Sequence, residues 1–269
     1  MLLAFNIGNT TISVGVFNGP DLAAQWRLST HHERTADELA AFLKVAFDAH
    51  GYRFKDIDGV AISSVVPPLT LQASLLSNQY FHITPVVVGP KLDIGLVNDY
   101  ENPHEVGADR LVNGLAAWKK FKTAVVVVDS GTATTVDVVT KDGHFLGGAI
   151  APGLRISTEA LFMAAARLPR VEVAMPEQAI GRNTVAAMQS GIFFGYAGLV
   201  KELITRCTQE LKSQGSNDPV TVVATGGLAE MIAPLVSTIQ HVEPQLTLDG
   251  LRLIWDHATS EPSTTIETQ

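Results

Sequence analysis

The feature that most constrains the fold is a hairpin pattern that occurs twice in the chain. Residues 5–17 read F-N-I-G-N-T-T-I-S-V-G-V-F, and residues 128–140 read V-D-S-G-T-A-T-T-V-D-V-V-T. Aligning the copies puts Gly8 on Gly131 at a constant offset of 123 residues. In each copy an apolar strand ends at a polar residue, a glycine turn with hydroxyl neighbours follows, and an alternating strand begins. One such turn is common in unrelated hairpins, but two copies with the same neighbours indicate a duplicated unit.

Glycine turns of this kind are suited to binding phosphate. Glycine adopts backbone conformations closed to other residues and lets a ligand approach the peptide N–H groups. Two turns facing each other across a cleft would contact the phosphates from both sides. The duplication therefore predicts an α/β chain with two similar domains around a cleft, and it indicates phosphoryl transfer. One sheet with a single site is the alternative.

Composition limits the partners of the chain. With 269 residues, 46% hydrophobic and 17% charged, it is long enough for two compact soluble domains. A net charge of −8 and a pI of about 5.4 argue against a broad nucleic-acid or membrane surface. The start of the chain lacks a signal-peptide pattern, and the single cysteine, Cys207, excludes an internal disulfide. We therefore expect a cytoplasmic protein that binds a small molecule.

Strand and helix patterns alternate along the chain, which predicts sheets flanked by helices. Thr35 and Glu38 have the spacing of a capping box before a helix, and Gly51 is placed to end that helix. Further predicted elements are strands at 59–66, 85–88, 123–128 and 220–225 and helices at 69–76, 111–120 and 185–213, the last in one piece or two. We place one domain at 1–120, a second at 121–257 and a flexible tail at 258–269.

Two aspartates carry the remaining chemistry, and each has two interpretations. Asp129 ends a run of apolar residues, where its carboxylate could bind a cation or cap the turn by accepting backbone N–H bonds; symmetry with Asn6 favours the cation. Asp109 and Arg110 follow Gly107 at a predicted helix start. They could bind a substrate, or Asp109 could be a helix N-cap with Arg110 as its surface salt-bridge partner.

Five motifs in order resemble those of the type III pantothenate kinases, of the acetate and sugar kinase/actin superfamily. They are N-I-G-N-T near the start, Y-E-N-P-H-E-V-G-A-D-R at 100–110, V-D-S-G-T-A-T-T from 128, G-G-A-I-A-P-G from 147 and T-G-G from 225. The similarity extends from about residue 1 to residue 255. It implies two ribonuclease H-like domains and transfer of a phosphoryl group from ATP to pantothenate, the first step of coenzyme A synthesis.

The resemblance also implies roles for particular residues. Asp109 would accept the proton of the pantothenate hydroxyl, and Asp129 would bind a monovalent cation, potassium or ammonium, that acts besides Mg²⁺. Pantothenate would be held by Tyr100, Gly107, Ala108, Asp109, Arg110 and Thr184. ATP would be held by Asn6, Ile7, Gly8, Asn9, Thr10, Thr11, Ile12, Ser13 and Thr132. The family resemblance further implies a homodimer, with the glycine-containing helix after Thr184 as its interface.

This sequence departs from the family pattern at residue 6, where Asn6 replaces the usual aspartate. An asparagine keeps an acceptor oxygen but loses a negative charge near the Mg²⁺–ATP assembly. The leading hypothesis is an active kinase with weakened or altered metal use. The alternatives are a binding or regulatory protein without catalysis, favoured by Asn6 alone, and a kinase for another small alcohol, which the retained G-A-D-R core argues against. Asp137 is one carboxylate that could replace the missing charge.

Overall fold

The structure is a computed structural model that describes residues 1–213 and 218–260. These residues divide into two compact units. The first unit comprises Met1–Val97, Glu101–Ala116 and the C-terminal residues from Leu246 onward. The second comprises Asn98–Tyr100 and Ala117–Gln245.

The first unit is built on a five-stranded mixed sheet. Its strands are β1 (Leu2–Ile7), β2 (Thr11–Asn18), β3 (Asp21–Ser29), β4 (Gly59–Ser64) and β5 (Val86–Val87), in the order β3-β2-β1-β4-β5. β1 pairs antiparallel with β2 and parallel with β4. Helix α1 (Ala36–His50) follows β3, and helix α2 (Pro67–Leu76) follows β4.

Alternation along β1 explains how its two faces are used. Leu3, Phe5 and Ile7 point to one face and join the apolar core formed with α1 and α2. α1 presents Leu39, Leu43 and Phe47 to this core at helical spacing. The predicted capping box of Thr35 and Glu38 is present, and Gly51 ends α1 with a φ of 76°.

The second unit repeats the strand order of the first. Its elements are β6 (Val97–Asn98), α3 (Ala108–Phe121), β7 (Ala124–Ser130), β8 (Ala133–Val139), β9 (His144–Pro152), α4 (Leu154–Ala164), α5 (Thr184–Ser213), β10 (Val220–Thr225), α6 (Ala229–Ile232) and β11 (His241–Val242). The sheet order is β11-β10-β7-β8-β9-β6, which matches the first sheet strand for strand except for the added edge strand β6. α3 begins in the first unit and ends in the second. The shared order confirms the prediction of two similar domains.

The last helix, α7 (Leu246–Ser260), belongs to the first unit. It lies against β1, β2 and β4 on the face opposite α1 and α2, where Gly59 leaves room for the Trp255 ring and Gly15 for Leu248. The sequence patterns predict a boundary near Lys120 and assign 121–257 to the second domain. The structure instead returns residues from Leu246 to the first unit. Of the predicted tail, 258–260 continue α7, and 261–269 lie outside the described residues.

Helix α5 is a single helix of 30 residues, which decides between the two predictions for this segment. No helix among the described residues is both long enough and apolar enough to cross a membrane.

Candidate active site

The first glycine turn is anchored by its own backbone and by the strand beside it. The Gly8 N–H donates to the Thr11 carbonyl at 3.0 Å, and the Thr30 hydroxyl donates to the Gly8 carbonyl at 2.7 Å. Asn9, Thr10 and Thr11 are exposed at the tip. Their hydroxyl and amide groups can therefore reach a ligand in solution.

Two of the predicted nucleotide residues differ from the rest of this turn. The side chains of Ile7 and Ile12 are buried, with 1% and 0% exposure, and both belong to the core of the first unit. They can contribute only backbone groups to a ligand.

The second turn is one residue shorter than the first. Its Gly131 N–H donates to the Ala133 carbonyl at 3.1 Å, two residues ahead, whereas Gly8 bonds three residues ahead. The offset of 123 residues therefore holds only as far as the turns, and beyond them it becomes 122: Asn6 pairs with Ser13, and Asp129 pairs with Thr135.

Asp129 lies at the end of β7, against the T-G-G turn that follows β10. Thr225 pairs with Asp129 in the parallel register, and the Leu228 N–H donates to the Ser130 carbonyl at 3.3 Å. Gly226 has a φ of 90°, and a Cβ built there would overlap the Asp129 carboxylate. The turn thus needs a glycine to close on the carboxylate.

The Asp129 carboxylate is a candidate ligand for a cation. Among the described residues, no three His, Cys, Asp or Glu side chains are grouped to hold a metal ion. A carboxylate is an oxygen donor, which hard cations prefer. Asp137, which could have replaced the missing carboxylate, is only 1% exposed, and its Oδ2 accepts the Thr135 hydroxyl at 2.9 Å.

Asp109 is in the first turn of α3, which begins at Ala108. The Gly107 carbonyl accepts from the Arg110 and Leu111 amides, so Asp109 follows the helix start and is not the N-cap. Burial raises the pKa of the Asp109 carboxyl above its usual value, against the opposing effects of the Arg110 N–H bond at 2.9 Å and the Arg110 charge. A buried carboxylate with a raised pKa is a better proton acceptor than an ordinary surface aspartate.

Gly107 makes the position of the Asp109 carboxylate possible. A Cβ at Gly107 would lie 2.7 Å from Asp109 Oδ1 and 3.7 Å from Val65 Cγ1. The Val65 N–H donates to the Ile7 carbonyl at 3.0 Å, just after β4 and at the end of β1. Within the first unit, Asp109 and the first glycine turn therefore lie at the same edge of the sheet.

The remaining predicted substrate residues lie in different environments. Arg110 is 6% exposed, so it is buried and is not half of a surface salt bridge. Tyr100 belongs to the second unit, and its ring covers Gly147, where a Cβ would lie 3.0 Å away. The preceding Asp99 fixes this segment through its N–H to the Phe145 carbonyl at 3.0 Å.

Thr184 opens α5 and lines a cavity of about 830 Å³ that the sequence did not predict. Arg182 and Asn183 line the same cavity, with Leu161 of α4 and Met188 of α5. The Asn183 side chain caps α5 by accepting the Ala186 N–H at 2.9 Å. The polar run G-R-N-T before a long apolar helix was the available sequence signal, and in the sequence Arg182 was indistinguishable from a surface arginine.

Comparison with known proteins identifies relatives over almost the whole chain. The sequence model of the type III pantothenate kinase family matches residues 2–206. A type III pantothenate kinase of Pelobacter propionicus is 49% identical over 256 residues, covering 95% of this chain and 99% of that protein. One from Geobacter sulfurreducens is also 49% identical, covering 95% of this chain and 98% of that protein.

Solved structures share the fold at lower identity. A Campylobacter jejuni protein assigned to the Baf family of transcriptional activators superposes with a TM-score of 0.59 at 19% identity, covering 96% of this chain and all of that chain. A ROK family glucokinase from Streptomyces griseus, in complex with glucose and AMPPNP, has a TM-score of 0.52 at 13% identity, covering 97% and 99%. These likenesses show that the chain shares the fold of these proteins.

Proposed function

The chain belongs to the type III pantothenate kinase family, and we propose that it transfers the γ-phosphoryl group of ATP to pantothenate with the residues described above. The product is 4′-phosphopantothenate, and the reaction is the first step of coenzyme A biosynthesis. The observation that carries the assignment of residues is the position of Asp109, which shares one edge of the first sheet with the glycine turn of Gly8.

Asp109 accepts the proton of the pantothenate hydroxyl and orients it for attack. Phosphoryl transfer has a loose transition state, so alignment of the hydroxyl matters as much as its deprotonation. The raised pKa of Asp109 strengthens it as an acceptor. Arg110 binds the pantothenate carboxylate, because a guanidinium pairs with a carboxylate through two parallel bonds. Gly107, Ala108, Tyr100 and Thr184 complete the pantothenate set.

The glycine turns hold the nucleotide. Residues Asn6 to Ser13 bind ATP phosphates through backbone N–H groups and the exposed hydroxyls of Thr10 and Thr11, and the same role is proposed for Thr132. Mg²⁺, when bound with ATP, neutralises charge on the transferred group. Asn6 offers Mg²⁺ an amide oxygen, and Asp129 binds potassium or ammonium.

We further propose a cytoplasmic homodimer that uses the outer face of α4 and α5. Large apolar side chains are exposed in this part of the second unit, including Ile156, Met163 and Ile180, the last 81% exposed. Leaving aside the neighbouring residues and backbone of α5 itself, no described atom lies within 4 Å of a Cβ built at Gly191, Gly195 or Gly198. Glycines at helical spacing with open space beside them allow another helix to approach closely. Sedimentation of the native chain and of Gly195→Trp tests this, and an unchanged mass would contradict it.

A binding protein without catalysis is the second candidate, and Asn6 is the observation that favours it. Pantothenate-dependent release of ADP, measured with Mg²⁺ and potassium, separates the candidates. Turnover supports the kinase. Binding of pantothenate and ATP by calorimetry, without ADP release, supports the alternative.

A further inference from the structure

We propose that Ser63 is a positioning residue that fixes the orientation of the Asn6 carboxamide. The proposal rests on the proposed nucleotide role of Asn6 and concerns a residue that no motif singled out. Buried polar groups are hydrogen-bonded as a rule, and the Ser63 hydroxyl is an exception. Ser63 is 0% exposed, and its Oγ has no hydrogen-bond partner within residues 1–213 and 218–260.

The strand register places Ser63 directly beside Asn6. Asn6 on β1 pairs with Ser13 on β2 and with Ser63 on β4. Residues that are directly paired point to the same face of a sheet, and neighbouring strands are about 4.8 Å apart. One rotation about the Ser63 χ1 angle therefore changes the direction of its hydroxyl relative to the Asn6 side chain.

The second unit has the same row of three residues but satisfies its hydroxyls internally. Asp129 on β7 pairs with Thr135 on β8 and with Thr225 on β10. The Thr225 hydroxyl donates to the Glu243 carbonyl at 2.8 Å, and the Thr135 hydroxyl donates to Asp137. The unpartnered hydroxyl of Ser63 is therefore not a requirement of the shared fold.

The difference matches the difference between the two central side chains. A carboxylate presents two equivalent oxygens, so either can face a cation. A carboxamide presents one oxygen and one NH₂ group, and only the oxygen can face a cation. Asn6 therefore needs an acceptor for its NH₂ group on the side away from the cation. The Ser63 Oγ, which has no partner among the described residues, would supply that acceptor after rotation about χ1. This bond would hold the Asn6 Oδ1 toward the Mg²⁺–nucleotide.

Binding of ADP with Mg²⁺, measured by calorimetry, tests this in four proteins: native, Ser63→Ala, Asn6→Asp and the double variant. We expect Ser63→Ala to weaken ADP binding about tenfold when residue 6 is Asn and less than about twofold when residue 6 is Asp. Interaction energies between contacting side chains are of this size. Ser63→Thr retains the hydroxyl and should bind like the native chain. Ser64→Ala is the matched control, because its side chain points to the opposite face of β4 and its hydroxyl bonds the Val66 carbonyl.

Thermal unfolding distinguishes this role from a structural one. Removing an unpartnered buried hydroxyl should leave the midpoint of Ser63→Ala unchanged or higher, while binding falls. Equal loss of binding beside Asn6 and Asp, no loss beside Asn6, or no ADP binding by the native chain would each overturn the proposal. Failure of the kinase assignment would look different: the binding pattern would hold, and pantothenate would not be phosphorylated.

Discussion

The two hairpins have the same topology and differ in the residue at their centre. In the first unit Asn6 lies between two serines, and in the second Asp129 lies between two threonines. In the first unit, where the central residue is the neutral Asn6, α3 places Asp109 at the same edge of the sheet. The comparison indicates that the duplicated units have separate roles. In the proposed mechanism the first unit supplies the proton acceptor, and the second supplies the carboxylate that binds a cation.

The largest effect is expected from removing the proposed proton acceptor of the first unit. Asp109→Asn keeps the size of the side chain and removes the charge that accepts a proton. We expect kcat to fall about 10³-fold, in the range for a general base, with ATP binding unchanged. Steady-state kinetics measures the effect, and Glu105→Gln, an exposed acid of the same motif, serves as the control. A loss below about fivefold would remove Asp109 from the chemistry, since general bases contribute far more.

The next test makes the two hairpins alike by replacing the charged centre. Asp129→Asn should reduce kcat/KM at least about a hundredfold, because even two unit charges about 5.5 Å apart interact by about 3 kcal/mol at an effective dielectric constant of about 20, and a bound cation is closer than that. The dependence on potassium concentration should weaken in parallel. If activity falls and the potassium dependence is unchanged, Asp129 holds something other than the monovalent cation.

A smaller effect is expected from moving Asp109 without changing its charge. Gly107→Ala puts a methyl group 2.7 Å from Asp109 Oδ1, so the carboxylate must shift. We expect kcat/KM for pantothenate to fall about tenfold to a hundredfold, the cost of displacing a reacting group by about 1 Å. Gly89→Ala, where a Cβ meets nothing described within 4 Å, is the matched control. Equal activity of the two variants would contradict the proposed geometry.

The smallest predicted effect is in the pH dependence. Because burial raises the pKa of Asp109, the acid limb of kcat/KM should lie above the ordinary aspartate value of about 3.9. Activity should fall as the pH falls through the raised pKa, and Asp109→Asn should lack this limb.

The raised pKa of Asp109 should also affect the stability of the fold, with the opposite dependence on pH: activity increases as the pH rises through this pKa, and the free energy of unfolding decreases. Between the ordinary and the raised pKa, the folded protein holds a proton that the unfolded chain has lost, so the contribution of Asp109 to stability declines as pH rises. The free energy of unfolding of Asp109→Asn at neutral pH should equal or exceed that of the native chain. Denaturant unfolding measures it, and a lower value would contradict the cause assigned to the shift.

Local patterns predicted the repeated fold, and contacts between distant segments were beyond them. The glycine turns, the capping box of α1 and the bounds of β10 follow from neighbouring residues, and all are present. The return of α7 to the first unit was not predicted. Its apolar residues show that it needs a surface to cover, but the surface is defined by Gly15 and Gly59, which lie far away in the chain.

For the candidate site, too, the sequence predicted local features and missed those that depend on the folded structure. The sequence identified Asp109 and Gly107 as neighbours, but it left open whether Asp109 was an N-cap. The answer depends on where α3 begins and on how the carboxylate folds back over Gly107. Ser63 gave no signal at all, because a serine in a buried strand is noticed only when its missing hydrogen bond is seen.

The most direct test of the account compares pantothenate-dependent ADP release by the native chain and by Asn6→Asp, with Mg²⁺ and potassium. We predict turnover by the native chain and an increase of up to about a hundredfold in the variant, from the charge restored beside the metal. Absence of ADP release by the native chain, together with activity of the variant, would mean that Asn6 alone inactivates an otherwise complete site. Absence of ADP release by both proteins would contradict the assignment of this chain as a working pantothenate kinase.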